Sequence, residues 1–249
     1  MSTGFEEVPP VAVRRPSSEV VELTVGDATK RNALDRAGWD LLRHAVERIG
    51  TDETVRVVVI RGREGTFCAG SDMTEWVDAD MDSVEDSFSR MEAAFQAVER
   101  CPVPVIAEIT GVAAGAGCQL ALACDLRYMS TSARIGMPII RLGINTSPAF
   151  AKRLVVLVGP ARARRLLYTG ELLAGVAAVH EGLVERAVPE AELTERTGEL
   201  LTTIVEKPPA AIRAAKTAVA TALEHPPSND TPAVDPETFP ASIKGFLGV

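Results

Sequence analysis

The sequence of 249 residues has little of the chemistry from which metal centres and disulfide frameworks are built. It contains three histidines, and none of them belongs to the HxxxH pair that is typical of metal-binding helices. Its four cysteines show no CxxC spacing, which disfavours both a zinc site and a set of disulfides. We therefore predict no metal site, and we expect buried, reduced thiols at Cys68, Cys101, Cys118 and Cys124.

Long apolar runs and an excess of positive charge are also missing. No stretch approaches the ~20 apolar residues that span a bilayer, and the first ten residues have neither the basic start nor the apolar core of a secretory signal. The formal net charge of −8 disfavours nucleic acid and anionic membranes, because both repel an acidic protein at long range. These features predict a cytoplasmic protein without a nucleic-acid or membrane partner.

Hydrophobic residues make up 46% of the chain, enough for a large core. The alternation of apolar and polar residues over residues 11–15 and 19–25 predicts a β-hairpin. Apolar residues recur at helical spacing after Asn32, and the continuous run of residues 55–60 is typical of a buried parallel strand. A helix and two strands then follow over residues 84–100, 103–109 and 126–130. The sequence therefore predicts an α/β fold.

The C-terminal part shows mainly helical patterns, over residues 160–168, 190–206 and 210–223. Pro160 suits the first turn of the first of these helices. The proline-rich run of residues 225–240 cannot build a regular core and predicts a linker or a draped arm. We accordingly predict an α/β core over residues 1–190 and a C-terminal helical region with a Pro-rich tail over residues 191–249.

Two segments of small residues, 66–73 and 111–120, each follow the C-terminal end of a predicted strand. Ligands bind at such ends in α/β sheets, and small residues let a ligand approach the backbone closely. The second segment contains a partial GxGxxG pattern, but Leu120 replaces the third glycine and the expected acidic residue further on is missing. A dinucleotide site is therefore disfavoured, while tight packing of a buried helix remains an alternative role for the glycines.

Six segments together resemble the crotonase family, also called the enoyl-CoA hydratase/isomerase superfamily. They are Asn32-Ala33-Leu34, Phe67–Asp72, Gly111–Asp125, Gly159 with the Arg-rich helix after it, Thr169-Gly170 and Gly182-Leu183-Val184. The resemblance implies a crotonase-like spiral of repeated ββα units with a C-terminal helical region. It also implies a homotrimer or a dimer of trimers that acts on an acyl-CoA thioester. No separate cofactor is expected, because coenzyme A is part of the substrate.

The resemblance assigns the family's oxyanion hole to two backbone N–H groups, those of Ser71 and Ala116. Such fixed donors stabilise charge that develops on a thioester oxygen, and the loss of one typically costs ~10²–10³ in rate. Ala116 also falls at the predicted start of a helix, where the partial positive charge favours an oxyanion.

The resemblance also implies a binding path for coenzyme A. Lys30 and Arg31 correspond to groups near the phosphates, and the pantetheine and adenine path is lined by Ala33, Ala69, Asp72 and Met73. An acidic protein that holds a polyanion needs local positive charge of this kind. An ordinary solvated pair remains the alternative for the two basic residues.

The chain departs from the family at the two glutamates that hydratases use for proton transfer, since Gln119 and Ile139 stand in their places. An amide forms hydrogen bonds but exchanges no proton usefully near neutral pH, and isoleucine does neither. General acid–base groups contribute ~10²–10⁴ in rate, so we predict little ordinary hydratase activity. Gln119 is the polar side chain that remains at the predicted catalytic position.

Other polar residues are predicted to line the substrate pocket together with Ile139. Asn145, Thr146 and Ser147 offer hydrogen bonds but no carboxylate. Glu75 opens an acidic stretch that continues to Asp86, and we predict it at the acyl pocket, with a solvated loop as the alternative.

Two functions remain open from the sequence. The first is an enzyme of the enoyl-CoA hydratase/isomerase type, a lyase or isomerase of fatty acid metabolism that stabilises a thioester enolate. The second is a non-catalytic acyl-CoA binding or carrier protein on the same scaffold, which the loss of both glutamates favours.

Overall fold

The computed structural model describes residues 10–224, and this part of the chain has the predicted α/β fold. Its strands are β1 Val11–Arg14, β2 Val20–Val25, β3 Val57–Gly62, β4 Val105–Ile109, β5 Val112–Ala114, β6 Leu126–Ser130, β7 Arg134–Gly136, β8 Leu172–Ala174 and β9 Arg186–Val188. Its helices are α1 Arg36–Gly50, α2 Met81–Arg100, α3 Ala116–Ala123, α4 Pro148–Thr169, α5 Gly175–His180, α6 Glu190–Val205 and α7 Pro209–Glu224. The proline-rich run that was predicted as an arm, residues 225–240, lies outside the described residues.

The strands form two sheets that the chain visits alternately. The larger sheet has the order β1-β2-β3-β4-β6-β9 and is parallel except for the predicted hairpin β1–β2. The smaller sheet has the order β5-β7-β8. The chain runs from β4 to β5 to α3, and then from β6 to β7 to α4, so each repeat gives one strand to each sheet and one helix. This repetition is the spiral of ββα units that the resemblance predicts.

Helix α1 and strand β3 show why the periodicity of the sequence predicts these elements. In α1 the Asp35 carboxylate accepts a hydrogen bond from the Gly38 N–H at 2.7 Å and caps the helix. The helix buries one apolar face, formed by Trp39, Leu42, Val46 and Ile49. All of Val57 to Ile60 in β3 are buried, because helices cover both faces of the sheet.

Helix α4 contains a break at Gly159, which has φ 76° and ψ 165°. A positive φ is accessible to glycine at little cost, and Pro160 then begins the second helical segment, as predicted. The first segment begins after Ser147, whose hydroxyl accepts a hydrogen bond from the Phe150 N–H at 3.2 Å. The break divides α4 into two helical segments.

The chain divides into two compact units, the first ending at Arg213 and the second beginning at Ala214. The first unit includes α6, whose Leu201 packs against Val57, Val59 and Ile106 of the larger sheet. The boundary at residue 190, between the α/β core and the C-terminal helical region, stays a prediction. Over the described part of the chain, no helix is long and apolar enough to cross a membrane.

The cysteines are buried and free of disulfides, as predicted. Burial raises the pKa of Cys68 to about 12 and that of Cys118 to about 12. Thiols with such pKa values are protonated at neutral pH and are poor nucleophiles. They therefore act as small core residues.

Candidate active site

Successive turns of the spiral lie side by side where the two predicted binding segments meet. The segment 31–34 is bonded to the segment 69–72: the Ala69 N–H donates to Arg31 O at 3.0 Å, the Leu34 N–H to Gly70 O at 2.9 Å, and the Asp72 N–H to Leu34 O at 2.9 Å. Ser71 is thus paired with Leu34 as in a parallel bridge. In that pattern the N–H of Ser71 points away from Leu34.

The next turn of the spiral carries Ala116. The Cys68 N–H donates to Val112 O at 2.9 Å, and the Ala114 N–H donates to Cys68 O at 3.1 Å. A β-carbon placed on Gly70 would lie 3.4 Å from the backbone nitrogen of Ala116. The two segments of small residues therefore touch, and Ser71 and Ala116 lie in adjacent turns.

Both backbone N–H groups lack an acceptor among the residues that the structure describes. Among the hydrogen bonds of residues 10–224, none has the N–H of Ser71 or Ala116 as its donor. Ala116 is the first residue of α3, and the first N–H groups of a helix have no acceptor inside the helix. Gly115 precedes it with φ 55° and ψ −118°, a conformation that suits glycine. Both N–H groups are therefore fixed in position and have no acceptor among residues 10–224.

Within the predicted coenzyme A path, the structure joins Lys30 to Asp72. Lys30 Nζ donates to Asp72 Oδ2 at 2.7 Å, and Asp72 also caps the short 3-10 helix Met73–Trp76 by accepting from the Thr74 N–H at 3.1 Å. The hydrogen bonds from Lys30 and Thr74 hold the pKa of Asp72 below its ordinary value, and the Asp72 carboxylate raises the pKa of Lys30. The positive charge of Lys30 is therefore partly neutralised by the Asp72 carboxylate.

The other predicted residues of this path lie along the same two turns. Arg31 is exposed and has a positive φ of 52°, Met73 is about half exposed, and Ala33 and Ala69 are half-buried. Asn32, which was noted only as part of a motif, fixes the turn: its Nδ2 donates to Arg63 O at 2.7 Å and to Thr66 O at 2.6 Å. Its positive φ of 59° is the feature for which asparagine is enriched.

Gln119 is fully buried in α3, and its amide is bonded at both ends. Its Nε2 donates to Phe150 O at 3.3 Å, and its Oε1 accepts from Arg153 Nη1 at 3.3 Å. Arg153 was not among the predicted site residues. The signal was its helical position three residues after Phe150, on the apolar stripe of α4.

The predicted pocket residues divide into those near α3 and those bonded elsewhere. Ile139 is buried, and its Cγ2 would lie 3.8 Å from a β-carbon placed on Gly115. Ser147 caps α4, whereas Asn145 is exposed and Thr146 is half-buried. They belong to the loop that precedes α4.

Glu75 lies against α1. Its Oε2 accepts from the Arg36 N–H at 2.9 Å, and its Oε1 lies 3.4 Å from Arg36 Nε. Further along the acidic stretch, Asp80 caps α2 by accepting from the Ser83 N–H at 2.8 Å, and Asp86 accepts from Arg90 at 2.7 Å. These carboxylates stabilise helix ends and surface pairs. No group of three or more metal-ligating side chains occurs among the residues described.

Known proteins match nearly the whole chain. The family model for enoyl-CoA hydratase/isomerase matches residues 15–243. A probable mitochondrial enoyl-CoA hydratase 2 from Arabidopsis thaliana is 34% identical over 208 residues, which is 83% of this chain and 69% of the relative. The 2,3-dehydroadipyl-CoA hydratase of Escherichia coli K12 is 34% identical over 201 residues, which is 80% of this chain and 78% of the relative.

Solved structures match equally well. An enoyl-CoA hydratase from Bacillus anthracis superposes with a TM-score of 0.82 at 31% identity, covering 96% of this chain and 90% of that one. An enoyl-CoA hydratase from Mycobacterium smegmatis gives 0.83 at 30% identity, covering 97% and 90%. The chain belongs to the enoyl-CoA hydratase/isomerase family, the crotonase superfamily.

Proposed function

We propose that this protein is an acyl-CoA-acting enzyme that holds the thioester carbonyl oxygen between the backbone N–H groups of Ser71 and Ala116. The observation that carries the proposal is the presence, in adjacent hydrogen-bonded turns, of two donors that have no acceptor among residues 10–224. In this role they stabilise the enolate that forms when a bond at the carbon next to the thioester breaks. Coenzyme A enters as part of the substrate, and no other cofactor is proposed.

The rigidity of the two turns supports this role. Backbone donors stabilise a transition state best when they need no reorganisation as charge develops. The pairings of Ala69, Leu34 and Asp72 on one side, and of Cys68 and Ala114 on the other, hold both donors in place. Ala116 adds the positive end of the α3 dipole.

We propose that coenzyme A follows the turn 29–33 and the segment 69–73. Arg31 would meet a phosphate, and Lys30 would do so in exchange for part of its bond to Asp72. Ala33, Ala69 and Met73 would line the path of pantetheine and adenine, where small or flexible apolar side chains permit close approach.

The proposed enzyme lacks the two glutamates with which the family's hydratases add water to an enoyl thioester, so we do not propose efficient hydration. Gln119 carries an amide and Ile139 a hydrocarbon where the family's hydratases carry their acid and base. The test is an assay of purified protein with a panel of enoyl-, malonyl- and β-ketoacyl-CoA thioesters. We expect turnover of at least one member and slow hydration of the enoyl thioesters. Turnover at background across the panel would overturn the proposed enzyme.

A second candidate is a non-catalytic acyl-CoA binding or carrier protein. The observation that favours it is the complete burial of Gln119, whose two amide ends are both bonded within the protein. This function predicts calorimetric binding of long-chain acyl-CoA without conversion. Efficient conversion of any thioester in the panel would exclude it.

Assembly and location remain proposals from the resemblance and the sequence. We propose a homotrimer or a dimer of trimers, to be measured by light scattering on a sizing column. We also propose a cytoplasmic location. Bacterial relatives such as the E. coli protein support it, although other relatives are named mitochondrial.

A further inference from the structure

The guanidinium of Arg153 has an acceptor for each of its five N–H groups. Its Nε donates to Glu99 Oε1 at 2.8 Å, and its Nη2 donates to Glu92 Oε1 at 2.7 Å and to Glu99 Oε2 at 3.1 Å. Its Nη1 donates to Glu92 Oε2 at 2.9 Å and to Gln119 Oε1 at 3.3 Å. Arg153 therefore has no donor left for a ligand, and its fifth bond is the one to Gln119.

The charges around Arg153 sum to one net negative charge, because one guanidinium faces the carboxylates of Glu92 and Glu99. Burial lowers the pKa of Arg153, but the hydrogen bonds and charges of the two glutamates outweigh burial and raise it. The guanidinium thus stays charged and is already over-neutralised. An additional negative charge beside it would meet two carboxylates and one cation.

The partners of Gln119 dictate which way its amide points. Arg153 only donates, so the atom facing it must accept, and the Phe150 carbonyl only accepts, so the atom facing it must donate. The Nε2 also lies 3.4 Å from Met137 Sδ. In a glutamate carboxylate, one oxygen would face the Phe150 carbonyl oxygen. Both atoms are acceptors, and no hydrogen would lie between them. A protonated carboxyl would reproduce both bonds of the amide.

Gln119 also closes the first turn of α3. Its N–H donates to Gly115 O at 3.0 Å, and Ala116 lies within the turn so formed. Its side chain ties this turn to α4 through Arg153 and Phe150. We infer that Gln119 is a positioning residue, whose neutral amide clamps the first turn of α3 between Arg153 and the Phe150 carbonyl and so orients the Ala116 N–H. The catalytic importance of this orientation rests on the proposed function.

A further charged group near α3 is Arg127, whose positive charge also acts on Cys118. Arg127 binds the opposite end of the helix, donating to Cys124 O at 2.8 Å, and its charge is balanced by Glu185. Met137, Ile139 and Phe150 are uncharged. Among residues 10–224, the charged groups in the hydrogen-bond network of the Gln119 side chain are Arg153, Glu92 and Glu99.

The test replaces the amide by its titratable counterpart, Gln119→Glu. Arg153 favours the ionised form of the new carboxyl, whereas burial, the carboxylates of Glu92 and Glu99 and the Phe150 oxygen oppose it. We therefore expect the pKa of the new carboxyl to be raised above that of a free glutamate, which is about 4.3. Infrared spectra of bound hexanoyl-CoA, labelled with ¹³C at the thioester carbonyl, report its polarisation. We expect the wild-type carbonyl shift in Gln119→Glu at pH 5 and its loss at pH 8.

Melting temperatures provide a readout that does not depend on the ligand. An acid whose pKa is raised on folding binds its proton more tightly in the folded state, so stability falls as pH rises from the unfolded to the folded pKa. The melting temperature of Gln119→Glu should therefore fall relative to wild type between pH 4 and pH 7. Thr202→Glu, which adds a carboxyl to an exposed position of α6, should show no such fall.

The apolar variant Gln119→Leu separates positioning from charge. It removes both bonds, so we expect a weakened carbonyl shift at every pH. A wild-type shift in Gln119→Glu at pH 8, or in Gln119→Leu at any pH, would overturn the inference. A wild-type protein that shifts no thioester carbonyl would instead defeat the proposed function, and the melting temperatures would still decide whether the clamp is neutral.

Discussion

Two polar regions adjoin helix α3, and they differ in whether their hydrogen-bond donors already have acceptors. At its N-terminus, the N–H groups of Ala116 and of neighbouring Ser71 find no acceptor within residues 10–224. One turn further on, the donors of Arg153 are all occupied. A fixed backbone donor without a partner among the described residues is available to a ligand or to water, whereas a saturated cluster has no donor left for a ligand. The backbone therefore carries the proposed chemistry, and the side chains behind it hold the geometry.

The largest expected effect comes from deleting one unbonded donor with Ala116→Pro. Proline is tolerated at the first position of a helix, because the N–H lost there has no acceptor in the helix. If the N–H binds the thioester oxygen, turnover should fall by ~10²–10³. The measurement is kcat on the most active thioester of the panel.

Ala116→Ser is the matched control, since it keeps the N–H and adds one atom to the side chain. It should lose far less activity than the proline variant. If Ala116→Pro is as active as wild type, the Ala116 N–H does not contribute to turnover. The proposed difference in function between the N-terminus of α3 and the Arg153 cluster would then be refuted.

The saturated cluster should be tested by its effect on stability. Arg153→Leu leaves Glu92 and Glu99 without their cation, and breaking a buried pair costs about 3–5 kcal/mol. We expect about 3 kcal/mol, the lower end, because the side chain of Glu99 keeps 39% of its exposure and can be hydrated. Urea denaturation measures the change.

Arg196→Leu is the surface counterpart, because Arg196 pairs on α6 with Glu199 at 2.7 Å in an exposed setting. Its loss should cost less than about 1 kcal/mol. If both arginine variants lose equally little, the Arg153 cluster does not stabilise the fold, and its role as a rigid support for α3 is refuted.

Much of the fold could be predicted from the sequence because it follows from local periodicity. The apolar stripe of α1 and the continuous apolar run of β3 are each visible within a few residues, and both were confirmed. The positions of Ser71 and Ala116 in adjacent turns came from the resemblance, since no local pattern brings two segments together that are separated by more than forty residues.

The side-chain partners could not be predicted, because they depend on pairings distant in sequence. In the sequence, Arg153 is one of several basic residues of a predicted helix. Its burial is explained by its ion pairs with Glu92 and Glu99 on α2, which the sequence does not reveal. Glu75 was predicted at the acyl pocket, with a solvated loop as the alternative, and neither interpretation includes its bond to the N-terminus of α1, 39 residues away. Position 119 shows the same limit. The resemblance implies that Gln119 stands where hydratases carry a glutamate, but it does not reveal the hydrogen bonds of Gln119 to Arg153 and Phe150.

A smaller effect should follow from a β-carbon at the contact between the two turns. In Gly117→Ala the added atom would lie 2.0 Å from Cys68 O, a backbone atom that is itself bonded to Ala114. The helix or the turn must shift, at a cost of about 1–3 kcal/mol for an overpacked core. The same shift should weaken the carbonyl polarisation of bound hexanoyl-CoA. Unchanged stability would mean that the turns are looser than their hydrogen bonds indicate.

The smallest expected effect has the opposite sign and uses the same substitution in another helix. A β-carbon on Gly198 of α6 would meet no atom within 4 Å. Alanine is favoured over glycine inside a helix by about 0.5–1 kcal/mol, so Gly198→Ala should stabilise the protein by that amount. Because α6 packs on Val57 and Val59 of the larger sheet, thioester binding should not change. Opposite signs for the two alanines would show that a glycine of α3 is required by close backbone approach, whereas destabilisation by both would trace the cost to helical glycines in general.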